Sequence, residues 1–276
     1  MSAEALPLED GPGWYLYGVV STGEAPALEQ LLGVDPRYAV GVVTEGGLAG
    51  VTSRVSLQEF DENALSERLG DAAWLEEKIR AHEQVLEGVL ALASVVPCRF
   101  CTVYRTEDDL RRFLAERREA LTEGLARVAG RVELGVKAFV DRERFATGGA
   151  LRSDSVRELA ERVSQSGGGR AYLEARQLER LVDEELASFG GEIAANLHGR
   201  LLEAADDGVQ LSLQRPEVSG REEEMLFNGA YLVEDRARFE RELASLAGEH
   251  AESGVELELT GPWPPYNFVP ADLGES

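Results

Sequence analysis

The end of the chain constrains its fold most. Gly261-Pro262-Trp263-Pro264-Pro265-Tyr266-Asn267-Phe268-Val269 places three prolines within four positions. Each proline fixes φ near −65° and removes a backbone donor, and each pushes the residue before it toward extended conformations. The run can be neither helix nor central strand. It also carries Trp263, Tyr266 and Phe268, rings that bury large apolar area when a surface receives them. A stiff aromatic clasp over 261–269 follows, docked on its own domain or on a partner. The expected seat is an apolar edge of the domain that precedes it, so that truncating Trp263 should lower the melting temperature markedly.

The rest of the chain reads as an α+β protein. Trp14–Val20, Tyr38–Val43 and Leu48–Val55 are rich in β-branched and aromatic residues, and Glu45-Gly46-Gly47 supplies a hairpin turn. Asp61 is a candidate helix cap, and Gly70-Asp71 restarts the helical pattern. From Ala72, Leu75, Ile79, Val85-Leu86 and Val89-Leu90 approximate a 3.6-residue period. Val95–Tyr104 is a strand broken by Pro97. Thr106 with Asp109 opens a further helical stretch that ends at Gly130.

Beyond that point Val132–Val140 alternates as a strand, and 145–169 is a Gly- and Ser-rich excursion. Leu178 to Leu201 lie on one face of a long helix that Gly190-Gly191 interrupts. Val209–Leu213 and Met225–Val233 are strands, Asp235 caps a helix carrying Phe239, Leu243 and Leu246, and Val255–Thr260 is the last strand. The order β-α-β-β-α-β is that of a ferredoxin-like domain. Two domains are expected: residues 1–130, α+β with short antiparallel strands, and residues 131–276, ferredoxin-like and ending in the clasp.

A formal charge of −23 repels nucleic acid and anionic lipid. No apolar run reaches the roughly 18–20 residues a bilayer span needs, and the acidic start lacks a signal-peptide core. A cytoplasmic protein is the expectation. Gly167-Gly168-Gly169-Arg170 lacks the remainder of a phosphate loop and reads as a joint. His82, His198 and His250 are scattered, with core or surface roles, and no metal, cofactor or catalytic set emerges. Cys98 and Cys101, three apart in a strand, should face opposite ways and be inert. Arg99, set among apolar residues, needs a carboxylate or carbonyl partner and ties its strand to a helix or belongs to a partner surface.

Three segments carry a family resemblance: Trp14-Tyr15-Leu16-Tyr17-Gly18-Val19-Val20, the Pro97-Cys98-Arg99-Phe100-Cys101-Thr102-Val103 run, and Asn228 to Val233 followed by the 261–269 clasp. In this order and at these separations the chain resembles the gas vesicle GvpL/GvpF family over about residues 14–269. Family members carry an aliphatic residue and a glycine where Cys98 and Cys101 stand. The resemblance implies a non-enzymatic accessory or minor structural protein of gas vesicle assembly. Its implied partners are the hydrophobic shell protein GvpA and other gas vesicle accessory proteins. It marks Pro97, Arg99, Phe100, Trp263, Tyr266 and Phe268 as structural or partner-binding. An enzyme or small-ligand sensor on a ferredoxin-like domain is the competing reading, because that fold hosts many functions.

Overall fold

A computed structural model describes residues 12–25, 28, 30–60, 65, 68, 70–147, 154–165 and 168–270. Asp61 lies outside these residues, as do 148–153 and 166–167 of the Gly-rich stretch. The chain forms two compact units, Met1–Val132 with Trp263–Ser276, and Glu133–Pro262. The clasp therefore belongs to the first unit, not to the domain that precedes it in sequence.

In the first unit, β1 (Gly13–Ser21), β2 (Gly41–Glu45) and β3 (Leu48–Val55) build an antiparallel sheet. Gly46 and Gly47, both at positive φ, close a two-residue loop between Glu45 and Leu48, a turn that only glycine enters without strain. Two short strands, β4 (Val96–Pro97) and β5 (Val103–Tyr104), pair with the other side of β1. The sheet order is β2-β3-β1-β4, with β5 beside β1.

A bulge in β1 between Leu16 and Gly18 shifts the register by one. Side chains alternate across a strand, so the extra residue reverses the faces that follow it. Tyr15 and Tyr17 share one face with Val20, whereas Leu16 shares the other with Val19. The first face receives helix α1 (Ala72–Leu90) through Trp74, Val85, Leu86 and Val89. The second receives α2 (Glu107–Glu116) and α3 (Arg118–Val128) through Leu110, Leu114, Leu121 and Leu125. Two caps fix the helix starts. Asp71 accepts the Ala73 and Trp74 N–H groups, and Thr106 accepts that of Asp109.

The phase of α1 departs from the apolar count. Ile79 is 40% exposed, while Lys78 and His82 are buried. Both polar side chains have partners inside: Lys78 Nζ donates to the Val34 carbonyl at 2.9 Å and lies 3.7 Å from Glu59, which also accepts from Trp74 Nε1. A buried polar group is tolerated when it is bonded, and a hydrophobicity pattern cannot register that.

In the second unit, β6 (Val132–Val140), β7 (Asp207–Gln210), β8 (Glu224–Val233) and β9 (Val255–Trp263) form a four-stranded sheet of order β7-β8-β6-β9. Between β6 and β7 run α4 (Arg142–Thr147), α5 (Asp154–Gln165) and α6 (Gly168–Ala204), and α7 (Arg236–His250) links β8 to β9. Gly190-Gly191 does not interrupt α6, which is continuous for 37 residues. A Cβ on Gly190 would stand 3.1 Å from Leu226, so this glycine serves the close approach of helix to strand. Part of the excursion is ordered too: Val156 and Leu159 on α5 are buried. Arg200 joins α6 to Glu242 and Glu249 of α7. Pro262 falls in β9, an edge strand, where a missing donor does no harm.

Candidate functional site

Three of the motif segments meet at one side chain, His82. The segment 98–102 is not strand. Between β4 and β5 it leaves the edge of the sheet and returns: the Cys98 N–H donates to the Tyr17 carbonyl at 2.8 Å, and the Leu16 N–H to the Thr102 carbonyl at 2.9 Å. At its far end the Thr102 N–H closes onto the Arg99 carbonyl at 3.3 Å, supported by the Thr102 hydroxyl at 2.8 Å. Cys101 sits there at φ 66°, a conformation natural to glycine and costly for other residues. The resemblance puts a glycine at this position. The two thiols are thus separated by a turn rather than by strand alternation, which replaces the geometry expected from the sequence. Both are free, and burial pushes each up to about 12, so neither supplies thiolate near neutrality.

The turn delivers Phe100 edge-on to the His82 ring, with centroids 5.8 Å apart at 89°. Tyr17 stacks on the same ring at 5.6 Å. With Glu83 ionised, the hydrogen bonds around His82 run in one sense. The Cys101 N–H donates to the Tyr15 hydroxyl oxygen at 2.9 Å, and that hydroxyl lies 3.0 Å from His82 Nδ1. His82 Nε2 lies 3.0 Å from the Tyr266 hydroxyl, whose proton goes to Glu83 Oε1 at 3.2 Å. With its proton committed to Glu83, Tyr266 accepts from Nε2–H. A neutral imidazole then has Nδ1 as acceptor, and Tyr15 donates to it. Burial supports the neutral form by pushing His82 down to about 4, and it also raises Glu83.

Tyr266 brings the clasp to this point. Its ring packs on the first-face cluster, while Val269 packs on the second-face cluster. The clasp residues 266–268 also pack on α3, as does β4. The clasp thus reaches both apolar clusters of the first unit beside α3. Pro264, Pro265 and Phe268 are buried, whereas Trp263 is 42% exposed. The anchor is Phe268 with Tyr266, not Trp263. Pro97 is buried opposite Gly18, and a Cβ on Gly18 would stand 2.8 Å from the Val96 carbonyl. Arg99 is exposed at the turn, with its own carbonyl bonded within that turn.

The sequence alone gave His82 a core or surface role. Its place among Tyr15, Phe100 and Tyr266 was recoverable only in part: the periodicity of α1 would have had to include Trp74, Lys78 and His82 as one stripe. Among the described residues no group of three or more His, Cys, Asp or Glu side chains could hold a common metal ion. No helix among them is long and apolar enough to cross a membrane.

These features define a class, a mixed helix and antiparallel-sheet protein whose aromatic motifs are joined by a closed polar relay. Residues 13–270 match the family model for gas vesicle synthesis protein GvpL/GvpF. The chain belongs to the GvpL/GvpF family of gas vesicle proteins. It is 33% identical to gas vesicle protein L of a Streptomyces species, over 86% of this chain and 88% of that one. It is 30% identical to gas vesicle protein L1 of Halobacterium salinarum, over 95% and 92%. The crystal structure of GvpF from Anabaena superposes with a TM-score of 0.65 at 20% identity, over 94% and 96%, and shows the same fold.

Proposed function

We propose that the chain is an accessory or minor structural protein of gas vesicle assembly that binds the hydrophobic shell protein GvpA and assists shell formation. The observation that carries this reading is the match of nearly the whole chain to gas vesicle proteins. A small apolar shell protein before assembly exposes surface that aggregates. A soluble partner with a charge of −23 keeps such a complex dispersed. We also propose that the protein works by binding rather than by chemistry. In support, both nitrogens of the buried histidine are bonded within the relay, and both thiols are held protonated. The six motif residues then hold the first unit together, with Arg99 and Trp263 exposed enough to meet a partner.

The second unit is read as a ferredoxin-like domain, supported by its element order and by a sheet whose strands, numbered within the unit, run 2-3-1-4. The site of action is the cytoplasm and the vesicle. Co-purification with GvpA, and no ligand-dependent thermal shift across a metabolite panel, is the expected result. Failure to capture GvpA, or a saturable shift with a metabolite, would move the reading to a ligand sensor.

A further inference from the structure

The second unit carries an open groove of about 780 Å³ where β6 ends, β8 begins and the chain leaves β7. Its apolar part is Val140, Leu213, Pro216 and Met225. Leu213 is 54% exposed, and Val218, on the single helical turn that Pro216 opens, is 69% exposed. Met225 is buried, and its sulfur accepts the Gln214 N–H at 3.3 Å, which fixes the floor.

Two observations specify the occupant. The first is charge. Asp141, Glu222, Glu223 and Glu224 line the groove against one lining cation, Arg142. That guanidinium is shared between Asp183 and Glu224, and its neighbour Arg221 is shared among Glu223, Glu256 and Glu258. With Arg215, exposed between the lining residues Gln214 and Pro216, three guanidiniums stand among seven carboxylates. The second is exposed apolar surface: Leu213 and Val218 keep most of their area in water beside the carboxylates, and apolar side chains of the occupant would cover it.

We propose that this groove docks a basic amphipathic segment of a protein partner. Its Arg or Lys side chains meet the carboxylates, and its apolar residues cover Leu213 and Val218. A second copy of this chain is a poor occupant because it brings the same excess of negative charge. The inference deepens the assembly reading and rests on it only for there being a protein partner.

The test titrates the full chain with a fluorescein-labelled peptide bearing Leu and Arg at helical spacing, and with its Glu-for-Arg analogue. Salt at about 150 mM screens distant charges. The basic peptide binds and the acidic one does not. Leu213→Asp and Glu222→Lys, both at exposed positions, each weaken binding about tenfold or more while melting as the wild type does. Glu76→Lys, the same reversal on α1 of the first unit, leaves binding unchanged. An equal loss in Glu76→Lys would reduce the effect to general acidity and overturn the site. Wild-type affinity in Leu213→Asp, or no binding of the basic peptide, overturns it as well. A chain that captures GvpA yet ignores the peptide sinks the groove and leaves the assembly role standing. Peptide binding at the groove without GvpA capture does the reverse.

Discussion

Removing the ring of Phe268 tests whether the clasp is part of the first unit's core. Phe268 is 3% exposed, and the clasp residues around it touch both apolar clusters of that unit. Truncating a fully buried phenylalanine to alanine costs about 3–5 kcal/mol, because transfer and cavity terms add. For a unit of this size each kcal/mol lowers the melting temperature by roughly 3 °C, so Phe268→Ala should melt about 10 °C below the wild type. Trp263 keeps 42% of its surface in water, and Trp263→Ala should cost only about 1–2 kcal/mol on the same area argument. All three tryptophans, Trp14, Trp74 and Trp263, belong to the first unit. Tryptophan fluorescence, excited selectively over the tyrosines of the second unit, therefore reports on the first unit during heating. An unmoved transition in Phe268→Ala, or a larger drop in Trp263→Ala than in Phe268→Ala, would refute the placement of the clasp.

Three further outcomes follow from the relay and the turn beside it. Tyr266→Phe keeps the ring but leaves His82 Nε2–H and the Glu83 carboxylate without that partner. A loss of about 1–2 kcal/mol in urea denaturation is expected, and no loss would mean the hydroxyl is dispensable. His82 lies at about 4 when folded against an ordinary 6.5. Above the unfolded value both states are neutral. As pH falls through that window the unfolded chain takes the proton first, so stability drops, by about 2 kcal/mol near pH 5. Glu83, raised by burial, gains its proton earlier in the folded state and opposes part of this. The urea midpoint should fall less between pH 7 and 5 in His82→Gln than in the wild type; equal falls would discount the histidine. At Cys101, φ 66° favours Cys101→Gly, which should be neutral or mildly stabilising, over Cys101→Val, which should lose about 1–3 kcal/mol. Thermal melts of the two variants, if they coincide, would reject the backbone argument.

What the sequence determined by itself is local. Pro-rich and Gly-rich positions fix dihedral angles without help from the fold, so the Gly46-Gly47 hairpin and the stiffness of 261–269 were legible. Short side chains cap helices through their own backbone neighbours, so Asp71, Thr106 and Asp235 were legible as starts. Alternation over Val132–Val140 gave that strand with its ends, because a side chain's face follows directly from position along an extended backbone. The tertiary structure decided the rest. One inserted residue in β1 reversed the faces of Val19 and Val20. The buried phase of α1 was set by bonds to Val34 and Tyr15, distant in sequence, and not by the count of apolar side chains. The helical run from Thr106 split in two at Arg117. The stiffness of the clasp said that it must dock but not where. Nearness in sequence pointed to the second unit, and the surface that fits its rings lay on the first. A clasp's destination depends on where the folded unit leaves apolar surface open to its rings, and that is a property of the assembled clusters, absent from any stretch of the chain read alone.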